Sequence, residues 1–401
     1  MSNLRNPNKK LRQQRELRGW SQRKVADAIG TDEKRVSAWE RGESVPSSYY
    51  QEKLCSLFGK NTLELGLKKH VGNLATKHPP VKEANESFSF GSIQTTGVVL
   101  DGDGTSEYAL ENIHTHFTLR SEKLPEELQA RRDQIQQEQE QKKAQGLSYH
   151  WNGEIYNLDR FVISREPIYE HMMLDLWFSP SDYYTFLATN MSLKDPAIRE
   201  KYLSDVDWYE TVPYFSHSFG TSLVVITLDG YTFLTQRSPR QGSDAGYYSI
   251  SANEGMSRGL DRATNIDIPD LYRCACRGLT EELGLYEPVD FSVSDITFLS
   301  FEVDTQYALW GILGMIKIKK TIAQVLKRWQ RVAKDKMENK KVFPVPFTPQ
   351  DICTFVFSHE NWTPGGLICL YHTLVHEFGR EEVDSIISLE EVFNADKEGR
   401  F

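Results

Sequence analysis

The chain has 401 residues, enough for two or three domains that each bury a core. At 39% apolar and 26% charged residues its composition is that of an ordinary globular protein. Its longest apolar run, Tyr307 to Ile316, falls far short of the roughly 20 residues that cross a bilayer, so no membrane partner is expected. Cysteines at 55, 274, 276, 353 and 369 form neither a disulfide framework nor paired metal knuckles, and the first residues are charged rather than apolar; a reducing cytoplasm is expected, and a secretory signal is not. The net charge of −9 is uneven: residues 1–60 hold 13 Lys/Arg against 7 Asp/Glu, the remainder 34 against 49. A basic small domain on an acidic body is the electrostatic footprint of a nucleic-acid reader carrying something else.

In chain order, three short helices come first. Lys9 to Arg18 carries Leu11 and Leu17. Ser21 to Ile29 opens on a Ser N-cap, spaces Val25, Ala26 and Ile29 helically, and stops at Gly30. Asp32 to Arg41 has Val36 and Trp39 as its apolar positions and ends at Gly42. Leu63 to about Asn85 reads as a linker. Two β-like runs between Ile93 and Leu119 suggest a hairpin turning at Asp101-Gly102-Asp103-Gly104. Within them His114 and His116 share one face of a run; with no third ligand following closely, an exposed strand face is favoured over a metal pair. Glu122 to Gln145 is polar throughout and reads as an exposed helical spacer, since its apolar positions sustain no heptad.

Aromatics are dense from Tyr149 to Tyr209, and from Pro213 the pattern turns α/β. A hairpin is expected around Asp229-Gly230, a strand over Tyr247–Ala252, and a helix over Asp270–Leu283 opened by Pro269 and closed by Gly284. Strands near 296–303 and 307–318, a basic helix over about 320–337 and a helix over Gly366–Phe378 complete a mixed sheet flanked by helices. Cys274 and Cys276 point apart on their helix and are read as core thiols.

Leu17-Arg18, Ser21-Gln22, Ala26, Gly30, Val36 and Trp39-Glu40-Arg41-Gly42 together resemble the helix-turn-helix of the Cro/C1 (XRE) class over about 60 residues. The resemblance implies that the second helix of the motif enters the major groove by its N-terminal residues. It implies that Glu33 and Lys34 read base edges, flanked by Arg35 and Ser37, and that Gln22, Thr31 and Arg41 hold phosphates of an operator duplex.

Arg277-Gly278-Leu279-Thr280-Glu281-Glu282-Leu283-Gly284-Leu285 resembles the end of the Nudix box, in which positions 278, 281 and 282 share a helix face and gather Mg²⁺ against a diphosphate. Arg277 stands four residues before Glu281 and can pair with it. Gly278 replaces the family's third carboxylate, and Ser249 to Gly255 with a longer insertion replaces the upstream half. Tyr183 to Asn190 is similar to the N-terminal part of the Nudix enzymes that hydrolyse UDP-glucose and UDP-galactose, and a late Trp-Thr-Pro before a closing helix, here Trp362-Thr363-Pro364, also resembles Nudix domains. The resemblance implies metal ligation by Glu281 and Glu282, with Arg277 as a third site residue and weak or no pyrophosphohydrolase turnover. Glu254, Glu302 and Asp304 are candidates for the missing ligand, and Glu at position 278 is expected to restore it.

The expected organisation is an all-α helix-turn-helix domain over 1–62, a linker over 63–90, a hairpin-plus-helix accessory region over 91–147, a Nudix-like α/β mixed-sheet sandwich over 148–385 and an acidic tail over 386–401. The expected protein is a cytoplasmic, homodimeric, nucleoid-associated regulator of bacterial or phage type whose second domain senses a nucleoside diphosphate or nucleotide sugar. An active Mg²⁺-dependent hydrolase, and a phage-defence or toxin-antitoxin component with a non-catalytic interaction domain, are the alternatives.

Overall fold

The computed structural model describes residues 8–41, 46, 50, 53–54, 57–58, 60, 65, 67, 87–119, 123–166, 170–204, 206–238, 244–263, 267–332 and 339–397. The chain divides into two units, Met1–Pro80 and Val81–Phe401.

In the first unit the apolar spacing produces three helices, α1 (Lys9–Leu17), α2 (Gln22–Ile29) and α3 (Glu33–Glu40). Side-chain caps fix both ends of the turn region: Ser21 Oγ accepts from Lys24 N, and Asp32 Oδ1 from Arg35 N. Gly30 ends α2 with φ +72°, a conformation other residues adopt only with strain. Leu11, Val25, Ala26, Ile29, Val36 and Trp39 close one core with Leu54, Phe58, Leu65 and Leu67. Leu65 and Leu67 fall in the span expected to be linker, and their burial assigns them to this core instead. Gly42 and most of the expected linker lie outside the described residues.

The second unit is α/β, as expected. Its strands are β1 (Ser89–Phe90), β2 (Ile93–Gln94), β3 (Gly97–Asp101), β4 (Ile113–Phe117), β5 (Glu154–Arg165), β6 (Met172–Asp182), β7 (Phe219–Ile226), β8 (Tyr231–Arg237), β9 (Tyr248–Ser249), β10 (Ala252–Gly255), β11 (Ile296–Asp304), β12 (Leu309–Lys317) and β13 (Asn339–Pro346). Its helices are α4 (Glu126–Ala144), α5 (Tyr183–Ala188), α6 (Pro196–Leu203), α7 (Leu271–Leu283), α8 (Ile322–Val332), α9 (Pro349–Phe357), α10 (Pro364–Phe378) and α11 (Arg380–Lys397). The main sheet runs β13-β8-β7-β12-β11-β3, with β10 beside β7 and β9 beside β8; β7 and β12 are parallel, the other pairs antiparallel.

One face of this sheet shares a core with α7, α8 and the separate β4-β6-β5 sheet, through Phe178, Phe219, Phe301, Leu279 and Val325. The other packs Val224, Leu299 and Leu313 against α9, α10 and α11. Alternation along each strand therefore decides which face a side chain serves.

Two expectations are corrected. Asp101-Gly102-Asp103-Gly104 turns no hairpin: β3 pairs with β11, some two hundred residues on, and β4 joins β6 in the other sheet. Residues 386–397 are no tail, because α11 continues to Lys397 and buries Val383 and Ile387. The basic helix is described over Ile322–Val332; the rest of its expected span, residues 333–337, lies outside the described residues, and Asn339 opens β13.

Burial lowers His217 and His372 from about 6.5 to about 3, so both are neutral when the second unit is folded. Unfolded, they take up a proton below about pH 6.5, so the stability they support is present above that pH and is lost as pH falls toward 3. Denaturant titrations from pH 7 to pH 5 should show stability of the second unit falling by up to about 1.4 kcal/mol per pH unit for each histidine. Stability that is level across this range would contradict the assignment.

Candidate functional site

A turn of about 100° per residue sets Lys34, Ser37, Ala38 and Arg41 on the side of α3 opposite Val36, Trp39 and Glu40. Lys34 and Arg41 are exposed and Ser37 and Ala38 half-buried; Glu33 and Arg35 flank them, both exposed. Arg41 Nη1 donates to Ser37 Oγ at 2.7 Å, and Arg35 Nε lies 3.3 Å from Asp32 Oδ2. Thr31 is half-buried and its hydroxyl has no partner among the described residues. Gln22 Nε2 donates to Glu40 Oε2 at 2.8 Å, so its amide is oriented from beneath.

The residue that fixes this face was not singled out in the sequence. Glu40 is buried, accepts from Arg15 Nε at 2.6 Å and Nη2 at 2.9 Å, and holds Gln22 with the same carboxylate; Arg15 Nη1 also donates to the Trp20 carbonyl. One buried carboxylate thus ties α1, α2 and α3 together. Its signal in the sequence was its place in Trp39-Glu40-Arg41-Gly42.

In the second unit α7 begins where Asp270 Oδ1 accepts from Arg273 N and ends at Gly284, φ +69°. Arg277 pairs with Glu281 as its spacing requires, at 3.6 Å, but more closely with two residues from outside the helix. Its Nη1 is 2.8 Å from Glu254 Oε1, and its Nε and Nη2 are 2.9 and 2.6 Å from the oxygens of buried Asp261. Burial works against its charge, yet the Asp261 hydrogen bonds and the Glu254 charge hold the guanidinium protonated beyond its usual value. Asp261 sits in the insertion, sixteen residues before Arg277, and no spacing rule pointed to it.

A Cβ at Gly278 would lie 2.9 Å from Glu254 Cβ, so the Glu254 stem packs against this glycine and a larger residue at 278 meets it. Glu302 and Asp304 do not join this cluster: they lie on the α10 face of the sheet, while α7 packs on the other. Glu282 Oε1 accepts from the backbone N of Asn253, on β10. Among the described residues no group of three or more His, Cys, Asp or Glu side chains is placed to hold a metal ion.

His114 Nδ1 and His116 Nε2 both face Asp175 Oδ1, at 3.3 and 3.2 Å, and both residues are half-buried on β4. Cys274 is buried and Cys276 half-buried. A cavity of about 840 Å³ between β5, β6 and the segment 211–217 contains Arg132, Arg160 and Trp177; Arg132 is bound to Asp182 and Thr185, and Arg160 lies 3.7 Å over the Trp177 ring.

Residues 11–65 match the helix-turn-helix family, and the match supports a DNA-binding regulator. No curated protein matches the chain. Solved structures similar to it include DR0079 from Deinococcus radiodurans, 12% identical over 38% of this chain and 80% of that one, with a TM-score of 0.25. They also include the MutT protein from Methanosarcina mazei Go1, 13% identical over 41% of this chain and 96% of that one, with a TM-score of 0.26. No helix among the described residues is long and apolar enough to cross a membrane.

Removing one partner of a buried, hydrogen-bonded ion pair destabilises by roughly 3–5 kcal/mol. Glu40→Ala should therefore abolish amide-exchange protection over α1–α3 in the full chain and leave the second unit protected. Unchanged protection over residues 8–41 would show that the Arg15–Glu40 pair does not hold the three helices.

Proposed function

We propose that the chain is a transcriptional regulator that reads an operator through α3 and carries in its second unit a sensor for a nucleoside diphosphate or nucleotide sugar. The observation that carries the first half is the outward face of α3, Lys34 to Arg41, backed by a fully packed inner face within a helix-turn-helix segment and a basic end of the chain. Lys34 suits guanine O6 and N7, and Glu33 the cytosine amino group, while Gln22, Thr31 and Arg41 suit phosphates. A single motif covers one half-site, so the working form is a homodimer held by the second unit.

The sensor half rests on the resemblance of Arg277–Leu285 to a Nudix box and on how the acids around it are used. Arg277 supplies the positive charge for Glu254, Asp261 and Glu281, within a shell where a hydrolase would gather metal. Glu281 and Glu282 offer two carboxylates, a donor set that fits one Mg²⁺ arriving with a diphosphate and keeping several waters, and is one short of the family's three. Bound there, Mg²⁺ neutralises the phosphates. Binding without turnover is the function this donor set favours.

Footprinting on selected operators should protect two half-sites about one helical turn apart. Lys34→Ala should relax selection at one position per half-site, a discrimination of about 1–3 kcal/mol. An equal loss on every sequence would make Lys34 a phosphate contact.

Calorimetry with nucleoside diphosphates and UDP-sugars in Mg²⁺ should give binding without product. The double substitution Glu281→Gln with Glu282→Gln should weaken it about tenfold or more, the scale of one lost charged contact. Affinity untouched by the double substitution would remove the box from the site; product formation abolished by it would make the chain a hydrolase.

A further inference from the structure

On the α10 face of the main sheet, Glu302 makes no hydrogen bond or ion pair among the described residues, although its side chain is 94% withdrawn from solvent. Its neighbour Asp304 is satisfied by Thr96 Oγ1 at 2.6 Å and Gln306 N at 2.9 Å. Burial, and then the Asp304 charge, push the Glu302 carboxyl well above the usual carboxylate range, which favours its protonated form. A buried polar group left unpaired opposes folding, and native structures keep few of them.

The surroundings of Glu302 are as unusual as its lack of a partner. Register places Glu302 beside Gly311 of β12, Gly311 beside Gly220 of β7, and Gly220 beside Gly255 of β10. All four residues face α10, by the alternation that sends Leu313, Met315, Val224 and Ile226 to the same core. A Cβ on Gly311 would meet only the Gly220 carbonyl and Glu302 Oε1 within 4 Å; on Gly220, only β10 backbone; on Gly255, nothing. Three adjacent strands thus present a bare strip, about 14 Å long at the usual strand spacing. It is walled at one end by the buried acid. Gly365, in the first turn of α10, packs closely over that acid: a Cβ there would lie 2.6 Å from Glu302 Oε1. The other end is the edge strand β10, where Asn253 N binds Glu282. Gly220 is required by the close approach of β10, where a Cβ would lie 2.9 Å from the Glu254 carbonyl oxygen, but Gly311 and Gly255 meet no such contact and each weakens its strand.

We propose that this strip holds the base of a nucleotide, with the Glu302 carboxyl reading its hydrogen-bonding edge. The inference rests on the nucleotide reading above and extends it to the base. A protonated carboxyl presents one donor and one acceptor side by side. That pair is complementary to the adjacent donor and acceptor on adenine, cytosine or uracil. Flat backbone on three strands admits a planar ring that side chains would exclude. Phosphates of the same ligand would then leave over β10 toward Glu282.

Adenosine, cytidine and uridine, which carry no phosphate, test the strip apart from the box. Saturation-transfer NMR on the full chain should show contact through base protons. Glu302→Gln keeps a donor and an acceptor and should retain binding. Glu302→Met and Gly311→Val should each weaken it about tenfold or more, the scale of a lost buried hydrogen bond. Glu302→Met removes an unpaired polar group and should melt no lower than the parent, which separates lost binding from lost folding. Nucleosides that do not bind, or that bind Glu302→Met as well as the parent, overturn the proposal whatever diphosphates do. Nucleosides that bind through Glu302 while diphosphates ignore Glu281 and Glu282 would leave the strip standing and defeat only the box.

Discussion

In the second unit a single guanidinium decides what the acids around it can do. Arg277 reaches from α7 to Glu254 on β10 and to Asp261 in the following loop, and it keeps Glu281 of its own helix within 3.6 Å. Four charged groups from three segments are thereby fixed against one another. With Asp261 fully buried the ions have little water to relax them, so their mutual geometry has to satisfy them. The same contact explains the glycine at 278. Glu254 can approach Arg277 only because no Cβ stands between the strand and the helix. A larger residue at 278 and the Glu254 stem compete for one place, and this chain has the one on the strand. A carboxylate on β10 paired to arginine is an anchor between strand and helix.

The first unit solves a similar problem with a different group at the centre. There a carboxylate, Glu40, is buried and gathers a guanidinium and an amide from two other helices. Because Gln22 is held from below by Glu40, its position relative to α3 is set before any duplex is bound. This is what short helices of 8 or 9 residues require. They are too short to be stable alone, and their arrangement must come from contacts between them. The outward residues of α3 are then free to differ in chemistry without affecting the scaffold.

Local chemistry was legible in the sequence, and long-range pairing was not. The start of α2 at Ser21, the start of α3 at Asp32 and the end of α7 at Gly284 follow from capping residues whose effect reaches three or four positions. The pairing of β3 with β11 depends on residues about two hundred positions apart, so the glycine-rich turn at 101–104 looked like a hairpin when read alone. Helix α9, absent from the expected elements, is short, but it carried a start signal in Thr348-Pro349 and sets exposed Gln350, Asp351 and Thr354 opposite buried Ile352, Cys353 and Val356. Helix α11 looked like an acidic tail because only Val383, Ile387 and a few neighbours touch the core. At the site, spacing brought Arg277 and Glu281 together correctly. It could not bring in Asp261 from the insertion, nor assign Glu254 and Glu302 to opposite faces of one sheet.

That division between faces carries the most physical consequence. Glu254 and Glu302 lie within one residue of the same register row of one sheet, on strands separated by β12 and β7, and a reading that pools them would build one metal site from both. Alternation forbids it: Glu254 turns toward α7 and its arginine, and Glu302 toward α10 and no partner. One acid has a cation fixed beside it; burial with no cation beside it raises the other's carboxyl well above the usual range. A paired ion resists rearrangement, whereas an unpaired acid beside bare backbone gains whenever a complementary edge arrives. The two faces of one sheet thus do different work, the α7 face fixing strand to helix and the α10 face keeping unmatched hydrogen-bonding capacity.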